Sequence, residues 1–225
     1  MRLNVSDPLQ AAIGVPYGIA QSRNGDLYIA AYSQHVIIKA EFNKEEGTFT
    51  LSSIAGTGVA GNGADNKLAT ETDLLTPKSV SLIESDTTGE VTSILINDHG
   101  NHRIRQLDMA TGYLSSIAGT GQFGFSGDDG SAKSAKLSYP GHAYYDRYSG
   151  DIFIADSGNH RIRRIFTSNG TITTVAGKCT NKERGGDGGP ALLACVLADD
   201  FTMNDEGEWF ILDIGNYFVR KVDLD

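Results

Sequence analysis

Apolar positions along this chain fall in runs of four to six residues, rich in Ile, Val, Tyr, Phe and Thr, each closed by Gly, Asn, Asp or Ser. That pattern predicts short antiparallel strands joined by tight turns, and no stretch keeps the period of a long amphipathic helix. Self-comparison then exposes a repeat. Leu27 to Lys39, Leu95 to Gln106, Phe153 to Arg164 and Phe210 to Lys221 align at intervals of about 58 residues, the first interval being longer. In the last three segments Asp98, Asp156 and Asp213 precede Asn101, Asn159 and Asn216, and Arg105, Arg163 and Arg220 follow; the first segment has Ala31, Gln34 and Ile38 in those places.

A second block recurs as Ile54-Ala55-Gly56-Thr57-Gly58, Ile117-Ala118-Gly119-Thr120-Gly121 and Val175-Ala176-Gly177. Each is followed by a Gly-rich stretch and a short pattern close to Ala-x-x-Ala-x-Leu, with Thr72 and Val196 as departures, running into Pro77 or Pro140 in the first two cases. The third unit reads as four strands, Gly141 to Tyr145, Ile152 to Ala155, Ile162 to Phe166 and Ile172 to Ala176. Repeated four-stranded sheets of this length hide their faces only by stacking on one another, which predicts an all-β propeller. The blades fall at about 16–59, 77–121, 140–179 and 199–225, the last without a fourth strand.

Pro16-Tyr17-Gly18-Ile19-Ala20, the run Phe153 to Arg164 and Gly186-Asp187-Gly188-Gly189 resemble the blade motifs of NHL-repeat propellers. The resemblance covers nearly the whole chain. It implies the propeller fold and leaves the function open, because such propellers host interaction modules, RNA-binding domains and a minority of enzymes. Members commonly close with six blades, which at this repeat length needs about 350 residues. Four blades therefore suggest part of a longer chain, an unusual four-bladed ring, or an open array whose blade edges are covered by self-association. Ala11 and Ile13 before Pro16 mirror Ala135 and Leu137 before Pro140, as if the chain started within a connector.

The repeated Asp, Asn and Arg read first as structure. A carboxylate at a strand end accepts backbone N–H bonds, Asn tolerates a left-handed φ, and one arginine of each pair reaches the carboxylate. Gly56 to Gly61 and Gly119 to Gly124 spell G-x-G-x-x-G, but no helix follows to hold a pyrophosphate. Asp65, Asp128, Asp129 and Asp187 lack the spacing of a calcium loop and read as turn closures. His35, His102 and His160 occupy one repeat position, with Tyr217 in the fourth, so they cannot converge on a metal. A zinc-binding lyase built on this type of propeller uses histidines facing the channel. Here His142 lies on an innermost strand, and its counterparts Gly18, Ser79 and Phe201 offer no imidazole. No metal or cofactor is expected, and no G-x-S-x-G elbow appears.

Charge and composition narrow the partners. The 225 residues carry 19 basic and 28 acidic side chains, a net −9, which repels a phosphate backbone and leaves RNA binding a minor reading. No apolar run is long enough to span a membrane, and Met1 to Pro8 lacks the apolar core of a signal peptide. Cys179 and Cys195 bracket one Gly-rich connector, and a disulfide there would stabilise by about 3 kcal/mol in the chain-entropy account. With the sequons Asn4-Val5-Ser6 and Asn169-Gly170-Thr171, the cysteines lean towards an exported protein.

Long loops on a rigid scaffold are the usual place for recognition. The loop-rich face carries Tyr32, His99, His102, Phe123, Phe125, His160 and Tyr217. We therefore expect a non-catalytic module binding a protein or a glycan. The alternative is a propeller hydrolase or lyase with Tyr17, Lys78, His142 and Asp200 at the channel mouth.

Overall fold

A computed structural model describes residues 4–5, 12–178, 185–204 and 207–222. Ser6, Ala11 and Cys179, and with Cys179 the expected disulfide, lie outside the described residues. The chain divides into two compact units, 1–117 and 118–225, and its four antiparallel sheets have the all-β propeller fold. No helix among the described residues is long and apolar enough to cross a membrane.

The first sheet is formed by β1 (Asn4–Val5), β2 (Pro16–Gln21), β3 (Leu27–Ala31), β4 (Val36–Asn43) and β5 (Thr48–Ala55), in the order β1-β5-β4-β3-β2. The second has β6 (Lys67–Leu68), β7 (Val80–Glu84), β8 (Val91–Asp98), β9 (Arg103–Asp108) and β10 (Tyr113–Ala118) in the order β6-β10-β9-β8-β7. The third repeats it with β11 (Gly130–Ser131), β12 (Ala143–Tyr145), β13 (Ile152–Asp156), β14 (Arg161–Phe166) and β15 (Thr171–Ala176). β16 (Ala198–Met203), β17 (Trp209–Asp213) and β18 (Phe218–Val222) form the last sheet, which among the described residues has three strands.

Four strands per blade is thus one too few for the first three sheets. The extra strand is the connector itself. Asn66 and Asp129 take φ of 60° and 63°, turning the Gly-rich stretch so that their N–H groups donate to Leu114 and Ile172 at 2.8 and 2.7 Å. The next two residues then pair with the outer strand, Leu68 opposite Tyr113 and Gly130 opposite Ile172. Two-residue strands of Lys, Leu, Gly and Ser carry no alternation to read. The segments that begin at Ala69, Ala132 and Ala191, the first reading Ala-x-x-Thr and the others Ala-x-x-Ala, are single 3₁₀ turns, Ala69–Glu71, Ala132–Ser134 and Ala191–Leu193.

Stacking explains why β8 and β13 are buried on both faces, with Ile94 to Asp98 and Ile152 to Asp156 all inside. In the unit 1–117, Tyr28, Ala30 and Ile37 of the first sheet pack on Val80, Ile94 and Ile96 of the second. In 118–225, Phe153, Ala155 and Ile162 meet Ala198, Phe201, Trp209 and Ile211. Each fully buried branched or aromatic side chain contributes roughly 1.5–3 kcal/mol, so the sheet-to-sheet layers supply most of each unit's cohesion.

The turn ladder departs from expectation in one respect. Asn101 and Asn159 sit inside 3₁₀ turns, and the following residue takes the left-handed φ: His35 at 58°, His102 at 52°, His160 at 57° and Tyr217 at 61°. The asparagines are held instead by their amides. Asn101 Nδ2 donates to Asp98 Oδ2 at 2.9 Å and to Gly61 O at 2.8 Å, and Asn159 does the same with Asp156 and Gly124, both at 2.8 Å. In the first sheet Gln34 replaces this link by donating to Ala12 O at 2.6 Å.

Candidate functional site

The Asp ladder ties each blade to the connector that enters it. Asp98, Asp156 and Asp213, all wholly buried, accept N–H bonds from Leu75, Ser138 and Leu197 at 2.8, 2.7 and 2.9 Å. Arg105 and Arg163, also without exposure, reach Asp98 and Asp156 at 3.4 and 3.3 Å, and Arg220 reaches Asp213 at 3.5 Å. Each guanidinium meets a second carboxylate from the connector: Asp65 at 3.0 Å, Asp128 at 2.9 Å and Asp187 at 2.6 Å. Sequence reading took these connector carboxylates as turn closures and missed their arginine partners, although they recur once per unit. Burial pushes Asp98 above the ordinary carboxylate range and Arg105 below the ordinary guanidinium value, so desolvation outweighs the attraction within the pair. These groups clamp the fold.

Two constellations are left for chemistry. In the unit 1–117, Tyr17 at the start of β2 lies against Tyr32, ring centroids 4.8 Å apart at 42°, and Tyr32 is 6.4 Å from the His99 ring. Lys78 Nζ stands 5.9 Å from the Tyr17 centroid. The approach depends on Gly18, where a Cβ would come within 2.7 Å of Ser79 Cα and 2.8 Å of Lys78 O. Tyr17 is 60% exposed. Two residues expected at the channel mouth and two expected on the loop face therefore form one patch of tyrosine, imidazole and ammonium. Linear spacing gives no lateral distance between adjacent blades, which is why the two groups looked separate.

In the unit 118–225, His142 Nδ1 and Asp200 Oδ1 are 3.5 Å apart, with the Phe201 ring edge-on to the imidazole at 5.9 Å. Burial holds His142 below the ordinary imidazole value, the Asp200 carboxylate opposing it. Asp200, not Phe201, is the repeat counterpart of His142. Asp200 faces Leu212 and Phe201 faces Ile211, as Ala143 faces Ile154 in the third sheet, which puts Asp200 level with His142. His142 likewise precedes β12, bonded through its carbonyl to the Ala155 N–H at 2.8 Å.

The remaining loop residues are dispersed. Phe125, 41% exposed, carries the guanidinium groups of Arg161 and Arg163 at 3.9 and 4.9 Å from its ring centroid. Phe123 is 68% and Tyr217 92% exposed. His102 and His160 are half-buried caps of their turns, and burial, with the nearby His99, keeps His102 below the usual imidazole value. Cys195 is fixed through its backbone, its N–H to Gly185 O at 3.1 Å and its carbonyl to Arg220 at 2.9 Å. No group of three His, Cys, Asp or Glu among the described residues is arranged to hold a metal ion.

No family model matches the chain. A stretch of 82 residues, 36% of this chain and 8% of the relative, is 37% identical to Protein SUPPRESSOR OF QUENCHING 1, chloroplastic, from Arabidopsis thaliana. Among solved structures, an auxiliary nutrient binding protein from Bacteroides ovatus superposes with a TM-score of 0.65 at 20% identity, over 92% of this chain and 48% of that one. A catalytically inactive virginiamycin B lyase from Staphylococcus aureus, bound to quinupristin, gives 0.53 at 15% identity, over 100% and 59%. At these identities the likeness is one of fold. The chain spans about half the length of the first of these structures and a small part of the Arabidopsis relative.

Proposed function

We propose that this protein is a non-catalytic binding module of the NHL-repeat kind, which takes a glycan on the patch formed by Tyr17, Tyr32, Lys78 and His99. The carrying observation is the convergence of these four side chains from two adjacent blades. Half-exposed tyrosines offer flat apolar faces with hydroxyl tips, and Lys78 adds a hydrogen-bond donor, a combination suited to sugar rings. A rigid β scaffold sets the rings before the ligand arrives, which lowers the ordering cost of binding. The nutrient-binding description of one structural neighbour is compatible with this reading.

A glycan array probed with the labelled chain is expected to give saturable binding that weakens about 10-fold in Tyr17→Ala, the worth of one lost aromatic contact, with a similar loss in Lys78→Ala. Silence across the array, or binding unaffected by both substitutions, overturns the glycan reading. Capture of protein ligands alone would point to the other class of partner.

A second reading, a hydrolase or lyase, is favoured by one observation, the His142–Asp200 pair, 3.5 Å apart, with burial lowering the imidazole below its ordinary value. It requires turnover of a lactone or ester panel that His142→Ala abolishes. Absence of turnover by the unaltered chain removes it.

A further inference from the structure

The two blades that supply the tyrosine and lysine patch are joined by a histidine. Thr76, two residues before Lys78, donates its N–H to His35 Nδ1 at 3.0 Å. His35 closes the 3₁₀ turn Tyr32–Gln34, which carries Tyr32. On its other side Thr76 meets the turn that carries His99. Gly100 donates its N–H to Leu75 O at 2.9 Å, and a Cβ on Gly100 would come within 2.7 Å of Thr76 Oγ1. Thr76 thus stands where the elements bearing Tyr32, His99 and Lys78 meet.

Its backbone is held away from its own preference. Thr76 has φ of 48°, although it is β-branched and precedes Pro77, which by itself pushes the residue before it towards extended backbone. Tyr139, before Pro140, takes 45° at the same repeat position, so the bend belongs to the repeat. Such a conformation persists only where its surroundings fix it. Leu75 is fixed by its N–H bond to Asp98 Oδ1 at 2.8 Å and by Gly100, and Thr76 by the imidazole of the neighbouring blade.

A ring nitrogen that accepts an N–H carries no proton, so this bond requires a neutral imidazole with its hydrogen on Nε2. Protonation sets a second N–H against that of Thr76. We propose that His35 positions the patch through Thr76 and gates it with pH, the neutral ring holding Tyr32 beside the Lys78 and His99 elements and the charged ring releasing them. The gating of a ligand rests on the glycan reading above, and the His35 bond does not. The ionisable groups at least partly buried on the elements around His35 are Tyr32 on its own turn, Asp73 and Lys78 on the connector, and Asp98, His99 and His102 on the facing turn. Both carboxylates serve other donors, Asp73 the Thr57 hydroxyl at 2.5 Å and Asp98 the groups of Leu75, Asn101 and Arg105.

Nuclear magnetic resonance of the full 225-residue chain reads the bond without any saccharide. At about pH 8 His35 should show an unprotonated Nδ1 and Thr76 a protected amide. At about pH 5.5 the Thr76 protection factor should fall about 10-fold or more, the weight of one lost hydrogen bond, with shifts in the Tyr17 and Tyr32 ring signals. His35→Asn offers an oxygen one bond beyond Cγ, does not titrate and tolerates a left-handed φ, so Thr76 should stay protected at both values. His35→Gly keeps that φ but loses the acceptor and should leave Thr76 unprotected at both. Unchanged far-UV circular dichroism would show that the variants fold. The saccharide that binds most tightly on the glycan array is then titrated under the same two conditions. The unaltered chain should bind it about 10-fold more weakly at the lower pH, and His35→Asn equally at both. A silent array would overturn the gate together with the glycan reading, whereas a Thr76 amide whose protection ignores pH would overturn the role of His35 alone. An equal loss of affinity in His35→Asn would overturn it too, and would assign the pH effect to His99.

Discussion

Replacing Asp156 by alanine is expected to cost about 3–5 kcal/mol of unfolding free energy, the range for breaking one partner out of a buried ion pair. Asp156 Oδ1 holds the Ser138 N–H at 2.7 Å, and Oδ2 holds Asn159 at 2.8 Å and Arg163 at 3.3 Å. Removing it strands a buried N–H, takes one of the two bonds of the Asn159 amide, which keeps the Gly124 carbonyl, and leaves the buried guanidinium with Asp128, the Ser126 carbonyl and the Phe125 ring. Differential scanning calorimetry should show the midpoint lower by on the order of 10 °C or more. An unchanged midpoint would mean that the ladder contributes nothing.

The same carboxyl gives a pH test. Burial pushes Asp156 up from 3.8 to about 6, and the bonds from Asn159, Ser138 and Arg163 offset this only in part. A carboxyl raised on folding contributes stability that is fully present below its unfolded value and is lost as pH rises through its folded value. Between roughly pH 4 and 6 the unaltered chain should therefore lose stability relative to Asp156→Asn, whose side chain does not ionise. Denaturant titrations across that interval would show it. Parallel curves would place the folded value back near 3.8.

Gly177→Ala is the second large effect. Gly177 has φ of +90°, and a Cβ there would lie 2.3 Å from His160 O and 3.0 Å from Arg161 Cα. Gly56 meets His35 O at 2.2 Å in the same way. The recurrent Ala-Gly is thus needed where the fourth strand ends against the carbonyl of the left-handed turn residue. Positive φ alone costs an alanine about 1 kcal/mol, and displacing backbone adds further strain of 1–3 kcal/mol. Gly170→Ala isolates the first part, since φ is +72° with nothing within 4 Å. Chemical denaturation should rank Gly177→Ala well below Gly170→Ala; equal losses would show that crowding at His160 is relieved freely.

Much of this fold is legible in the chain. Strand runs, repeat interval and closing glycines announce stacked antiparallel blades, because each β-branched run has one way to bury both faces. The Asp, Asn and Arg ladder is legible as structure, since the same residues recur where each strand meets its turn. Its bonding is not: the asparagine amide reaches a connector about 35–40 positions away, and the left-handed residue is the one after the asparagine or Gln34, a histidine in three blades and Tyr217 in the fourth. Bulges between Pro16 and Gly18 and between Ala198 and Asp200 are silent as well. Register against the second strand, which neither bulge announces in the sequence, decides that Asp200 and not Phe201 stands level with His142.

What the sequence determined by itself was therefore the repeat and the kind of surface it would bear, because hydrophobic periodicity and turn chemistry act over a few residues. Tertiary structure alone decided which side chains meet. Lateral packing of blade on blade set Tyr17 beside Tyr32 and Lys78, placed His142 beside Asp200, and brought Asp187 to Arg220. Those distances are fixed by sheet stacking, a property of two repeats together that neither repeat encodes alone.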